Sequence, residues 1–137
     1  MPILNYRTEV DANRTVAEIQ KHLVRAGATR IMTDYVSGQP SALTFELEGR
    51  PFRLPCRYKA VLEAMKRDKA ITRGKNDAQA LRVAWRILKD WVEAQLALIE
   101  IGMVATDEVF LPYRIVNQAG DTVYDVYLRS DRALPVQ

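Results

Sequence analysis

Between Asn76 and Gly102 the chain keeps two apolar stripes in phase with a single α-helix, and that double stripe constrains everything else in the fold. Leu81, Ala84, Trp85, Leu88, Val92, Leu96 and Ile99 form one stripe, and Val83, Ile87, Ala94, Leu98 and Ile101 form the second. Only a narrow polar strip remains, around Arg82, Arg86, Lys89, Asp90 and Glu93. A helix opened by an Asn76 or Asp77 cap and closed at Gly102 runs about 38 Å at 1.5 Å per residue. The charges on it exclude a transmembrane span, so no membrane partner is expected. It must be a helix covered on at least two sides.

The covering elements are read from period and turn chemistry. Ile3 to Val10 predicts a first strand, with Leu4, Tyr6, Thr8 and Val10 on one face. Asp11 to Arg14 reads as a polar turn, after which Thr15-Val16-Ala17-Glu18 has the form of a capping box. The helix it opens runs to about Ala26, with Gly27 to close it. Thr29 to Val36, Ser41 to Glu48 and Pro51 to Leu54 form a meander, and Leu43, Phe45 and Leu47 alternate with Thr44, Glu46 and Glu48. A shorter helix follows from Arg57 to about Lys69, burying Val61, Leu62 and Met65. Thr106 to Leu111 is one helical turn stopped by Pro112, and Tyr113 to Val116 is extended. For residues 122–129 helix and edge strand both remain open. Spacings of 3 and 4 among Val123, Tyr124, Val126 and Tyr127 favour helix. Residues 130–137 read as a frayed tail.

The expected fold is therefore α+β over one domain, residues 1–137: strand, helix and a three-strand antiparallel meander packed on a short and a long helix, with a mixed C-terminal tail. The same fold order occurs in phage single-strand annealing proteins, an analogy of order alone. A helix of this length overhangs a four-stranded sheet. That predicts a homo-oligomer through Trp85, Leu88, Trp91, Val92, Leu96 and Ile99, against the alternative of an intramolecular core helix.

Charge supplies the strongest functional lead. Nine of the twenty basic residues fall between Arg50 and Lys75, with only Glu63 and Asp68 as acids, so that window is +7 and the rest of the chain −4. Arg50, Arg53 and Arg57 cluster at the last strand of the meander and the turn out of it. Lys66, Arg67, Lys69, Arg73 and Lys75 form a run at a helix end and its loop. Clustered cations repel one another, and a fold that tolerates them presents them to an anion or to solvent. A solvated cationic loop is the alternative, since a helix C-terminus favours cations without any ligand.

Catalytic signatures are missing. No GxxxxGK[ST], GxGxxG, HExxH or GxSxG pattern occurs, and the six glycines stand singly. His22 is the only histidine and reads as structural or surface. Cys56 is the only cysteine, which excludes an internal disulfide; Arg57 beside it and the start of a helix both tend to lower a thiol pKa. Glu46 and Glu48 share a strand face, which reads as a solvated face rather than a metal site. No enzyme, metal or cofactor is expected. The N-terminus lacks the features of a signal peptide, so the expectation is cytoplasm.

Several segments resemble a family of small uncharacterised proteins of phages, prophages and related mobile elements. They are Pro2-Ile3-Leu4-Asn5-Tyr6 with Thr8-Glu9-Val10, Thr15 to Gln20, Phe52-Arg53-Leu54-Pro55, Ala84-Trp85-Arg86, Lys89 to Gln95, and Leu111-Pro112-Tyr113. Cys56-Arg57 departs from the family pattern, which has Ala-Asn there. The resemblance implies genomic context, and the host cell's cytoplasm, without assigning any catalytic residue. Two expectations follow. One is a non-catalytic accessory protein that binds a nucleic-acid backbone through Arg50, Arg53, Arg57, Lys66, Arg67, Lys69, Arg73 and Lys75. The other is an inhibitor of host antiviral defence that sequesters an anionic nucleotide signal or caps a host protein.

Overall fold

The computed structural model describes residues 3–130, and the expected frayed tail lies outside the described residues from 131 onward. The elements in order are α1 (Ala12–Arg25), β1 (Arg30–Val36), β2 (Gln39–Leu47), β3 (Arg50–Pro55), α2 (Tyr58–Arg67), α3 (Asp77–Glu100), α4 (Thr106–Phe110), a 3-10 turn (Leu111–Tyr113) and α5 (Val123–Arg129). The fold is α+β, with a three-stranded antiparallel sheet ordered β1-β2-β3.

Both hairpins close on two residues at positive φ, Ser37 and Gly38 in one and Glu48 and Gly49 in the other. Turns of that kind match the right-handed twist of the strands they join. Register then follows: Phe45 opposes Ile31 and Phe52, and Leu43 opposes Thr33 and Leu54. The face these residues share is buried beneath α1 and α3. The opposite face carries Arg30, Met32, Asp34, Thr44, Glu46 and Arg53 and is open.

Helix α1 begins three residues before the expected capping box. Asp11 caps it, accepting from the Asn13 amide at 3.0 Å, while Thr15 is fully buried in the helix body. A carboxylate at the end of an extended segment is as good a cap as a threonine, and burying Val16, Ile19 and Leu23 needs the helix to start early enough to carry Ala12 as well. Helix α3 runs as its stripes require. Asn76 caps it by accepting from the Gln79 amide at 2.9 Å. Trp85 is fully buried, its indole donating to the Pro40 carbonyl at 3.1 Å. The polar strip faces α1 and the N-terminal segment: Arg86 pairs with Glu18, Lys89 with Glu93 at 2.6 Å, and Asn5 donates to Asp90 at 3.0 Å.

The first strand is not formed. Residues 4–7 are a turn with Asn5 at φ 62°, and the Thr8 amide bonds back to the Asn5 carbonyl at 2.9 Å. Ile3 and Tyr6 pack instead on a second small core of Leu62, Met65, Ile71 and Ala80, between α2 and the start of α3. Alternation of apolar residues is satisfied by any extended segment with one buried side, and Gln79 supplies the donors that a neighbouring strand would have given. The fold order therefore starts with a helix, and the analogy with annealing proteins lapses.

The segment after α3 closes over the sheet through an aromatic cluster. Phe110 meets Phe45 and Trp91 edge-on, with ring centroids 5.6 Å apart in each case, and Trp91 meets Tyr113 at 5.8 Å. Residues 123–129 are helical, as the spacing favours, with Thr122 and Asp125 capping reciprocally at 2.9 and 3.2 Å.

These contacts correct the expected interface on α3. Trp85 and Val92 are fully buried and Leu96 nearly so, all within the chain's own core. Leu88, Trp91 and Ile99 are half-buried against the same core. The predicted stripe is covered by α1, α2 and the Phe110–Tyr113 segment, while Ala94, Ala97, Glu100 and Ile101 near the end of α3 stay exposed.

Candidate anion-binding groove

The eight cations singled out in the sequence separate into three places. Arg50 and Arg53 are neutralised within the chain. Arg50 Nε stands 3.1 Å from Asp107 Oδ1, an ion pair out of hydrogen-bond alignment, and Arg53 Nη2 donates to Asp34 Oδ2 at 3.2 Å. Neither belongs to a free cationic surface, which corrects their assignment. Arg57 sits at the opposite end of α2 from the run, about 15 Å away along the helix axis. Its guanidinium lies 6.0 Å from the Tyr124 ring centroid, tying the start of α2 to α5.

The remaining five gather around the end of α2 and the loop to α3. Lys75 is held internally, donating to the Asp68 carbonyl at 2.9 Å. Lys66 has a loose contact of 3.9 Å with Glu63. Arg67, Lys69 and Arg73 are exposed and have no acid within 4 Å among the described residues. Asp68, the nearest acid in sequence, spends one oxygen on the Ala70 amide at 2.9 Å and so shapes the loop.

Arg73 does not stand alone. A groove of about 460 Å³ runs between this loop and the N-terminal segment, with Arg7 and Thr8 on one wall and Thr72, Arg73 and Gly74 on the other. Gln79 builds it. Its carboxamide donates to the Tyr6 carbonyl at 3.1 Å and the Thr8 carbonyl at 2.8 Å, while its oxygen accepts from Arg82 at 2.7 and 2.9 Å. Gly74 has φ 72°, a left-handed backbone that glycine adopts without strain, and this bend carries the loop past the Gln79 side chain. The Arg7 guanidinium lies over its neighbour Tyr6, 5.2 Å from the ring centroid. Glu9 also reaches the groove, as its one carboxylate.

Arg7 is the residue the sequence reading missed. Placing Ile3 to Val10 in the sheet kept it away from the basic window, and the only hint of the turn was Asn5, a residue that tolerates positive φ. Two guanidinium groups, two hydroxyls and a channel open at the surface suit phosphate oxygens, which arginine binds in bidentate fashion.

Chemistry elsewhere is limited. Burial pushes the Cys56 thiol up to about 12, outweighing the neighbouring Arg57, so the thiolate is not accessible near neutrality. A second cleft, of about 450 Å³, lies between α1, α3 and the second hairpin. Arg25 and His22 there face Glu48, Glu93 and Glu100. His22 Nε2 is 3.6 Å from Glu93 Oε2, and the Lys89 ammonium, together with His22 and Arg86, holds the Glu93 carboxyl below its ordinary range. Mixed signs make this cleft a poor cradle for a polyanion. Among the described residues no three His, Cys, Asp or Glu side chains converge on a possible metal position, and no helix is long and apolar enough to cross a membrane.

Comparisons with protein-family models, with curated proteins and with solved structures find no match to this chain.

Proposed function

We propose that this chain is a non-catalytic accessory protein of a phage or mobile element that holds a nucleic-acid backbone along the groove between Arg7 and Arg73. Arg67 and Lys69 extend the positive track beyond it. One observation carries the reading: two arginines distant in sequence flank a single channel, and neither has an acid within ion-pair reach among the described residues. Folding sets like charges on the two walls of one channel, where Glu9 is the one carboxylate and forms an ion pair with neither, and an anionic ligand would offset the remaining positive charge. Lys66 and Lys75 play secondary parts, one as loose counter-charge and one as a loop staple.

The size of the groove favours a second reading. A channel of about 460 Å³ falls within the range of roughly 300–1,000 Å³ usual for small-ligand sites, enough for a nucleotide. An inhibitor of host defence that sequesters an anionic nucleotide signal would use the same arginines. Fluorescence anisotropy with labelled single-stranded and duplex oligonucleotides, alongside thermal shift with cyclic nucleotides, separates the two. Oligonucleotide binding that weakens steeply with salt supports the first. Stabilisation by cyclic nucleotides alone supports the second, and a response to neither contradicts both and favours a protein partner.

A further inference from the structure

The sheet has two outer edges, and only one is closed. Along β3 the Ile115 amide donates to the Pro51 carbonyl at 2.9 Å and Phe52 bridges to Arg114, so the chain itself lies on that edge. Along β1 no backbone hydrogen bond arrives from outside the sheet among the described residues. An open edge offers a row of unpaired N–H and C=O groups, and it is ordinarily guarded by a proline, by a bulge in the edge strand or by charges that repel a second strand. β1 has no proline, and the irregularity at Asp34/Tyr35 takes its extra residue, Ser41, from β2. Met32, Tyr35 and Val36 stand exposed at 58%, 57% and 65%.

The charges of the strand identify what fits this edge. We propose that β1 is the interface of a symmetric dimer, in which two copies of the strand pair antiparallel about Met32 and join the two sheets into one.

A two-fold axis perpendicular to the sheet keeps each face on its own side, so paired residues must share a face and the axis must pass through a residue of β1. Arg30, Met32 and Asp34 share the open face, opposite Glu46, Thr44 and Ala42 of β2. With the axis at Met32, Arg30 of each copy falls opposite Asp34 of the other, and the two methionines meet at the centre. No other register on this strand opposes unlike charges: an axis at Thr33 sets Asp34 against Met32, and one at Asp34 sets carboxylate against carboxylate. The groups are available as well. Arg30 has no acid within 4 Å among the described residues, and Asp34 receives Arg53 on Oδ2 alone, leaving Oδ1 for a second guanidinium. Opposite charges four residues apart attract in one register, repel where the axis falls on either charge, and leave a charge facing a neutral residue otherwise. This edge, rather than the buried stripe of α3, is where a second copy fits.

Directed crosslinking tests the register. In Met32→Cys the two introduced thiols face each other with Cα atoms about 4.5–5.5 Å apart, inside disulfide reach. The single native cysteine, Cys56, is buried and does not compete. The expected result is rapid oxidation of Met32→Cys to a covalent dimer, with Val36→Cys, equally exposed but away from the axis, far slower. Wild type at high concentration gives twice the chain mass by light scattering, and Arg30→Glu, which sets two acids against each other, shifts it to monomer. A wild-type monomer at high concentration overturns the proposal, and so does a Met32→Cys variant that crosslinks no faster than Val36→Cys. Met32 and Val36 are surface positions, so loss of folding does not obscure the result.

Discussion

The carboxamide nitrogen of Gln79 lies 2.8 Å from the carbonyl oxygen of Thr8, and through that bond the first turn of the long helix holds the N-terminal segment against the basic loop. One side chain thereby satisfies two backbone carbonyls and orients Arg82, three functions that no apolar residue supplies. The groove exists because Gln79 fastens residues 6–8, at the close of the N-terminal turn, beside the basic loop.

Replacing Gln79 with Ala leaves those carbonyls and the Arg82 guanidinium without their partner. The expected loss is about 1–3 kcal/mol of stability, the range for stranding part-buried polar groups. Urea denaturation measures it, and limited proteolysis of the N-terminal segment shows earlier cleavage. Unchanged stability together with unchanged proteolysis contradicts the role given to this residue.

Glu48 adopts φ 52° in the second hairpin, where a branched or long side chain is strained and Asn or Gly is at ease. Its ion pair with the half-buried Arg50 is long, at 3.6 Å, and Glu48 itself is exposed, so the pair offsets little of that strain. Glu48→Asn is therefore expected to stabilise the protein by about 0.5–1 kcal/mol, read as a higher denaturation midpoint at unchanged slope.

Glu93 is expected to make stability fall in acid. The Lys89 ammonium at 2.6 Å is the main cause of its lowered pKa, with His22 and Arg86 adding to it. A folded-state pKa below the ordinary value of 4.5 means that the folded form holds the carboxylate more strongly than the unfolded form. The resulting stability is present above that value and is lost as pH falls through the lowered folded-state pKa. Glu93→Gln is expected to flatten the acid limb of the stability profile while leaving the limb above neutrality unchanged. Parallel acid limbs in the two proteins would show that the pairing does not act.

Much of the architecture was legible from residues. The meander was fixed by Ser37-Gly38 and Glu48-Gly49, because turn chemistry sets register and register sets which face is buried. The long helix was legible because two stripes and an Asn76 cap agree. Contacts between distant segments were not. Alternation in Ile3 to Val10 carries no information on whether the donor to its carbonyls is a strand or Gln79. The aromatic lid of Phe110 and Tyr113 over Trp91 is likewise invisible locally, and so a self-covered helix read as an oligomer interface. The basic window was legible as charge but not as geometry. Asp34 and Asp107, both distant in sequence, neutralise Arg53 and Arg50, and Arg7 enters from the other end of the chain.

The most direct test of the groove is the salt dependence of oligonucleotide affinity in wild type and in the Arg7→Ala, Arg73→Ala double variant. Each lost phosphate contact lowers the slope of log affinity against log salt by about 0.7 for single strands or 0.9 for duplex. The account predicts a slope shallower by about 1.4–1.8 in the double variant, from two such contacts, with Arg53→Ala, whose guanidinium is already neutralised by Asp34, matching wild type. A double variant that binds with wild-type slope, or an Arg53→Ala variant that loses as much as the double one, contradicts it.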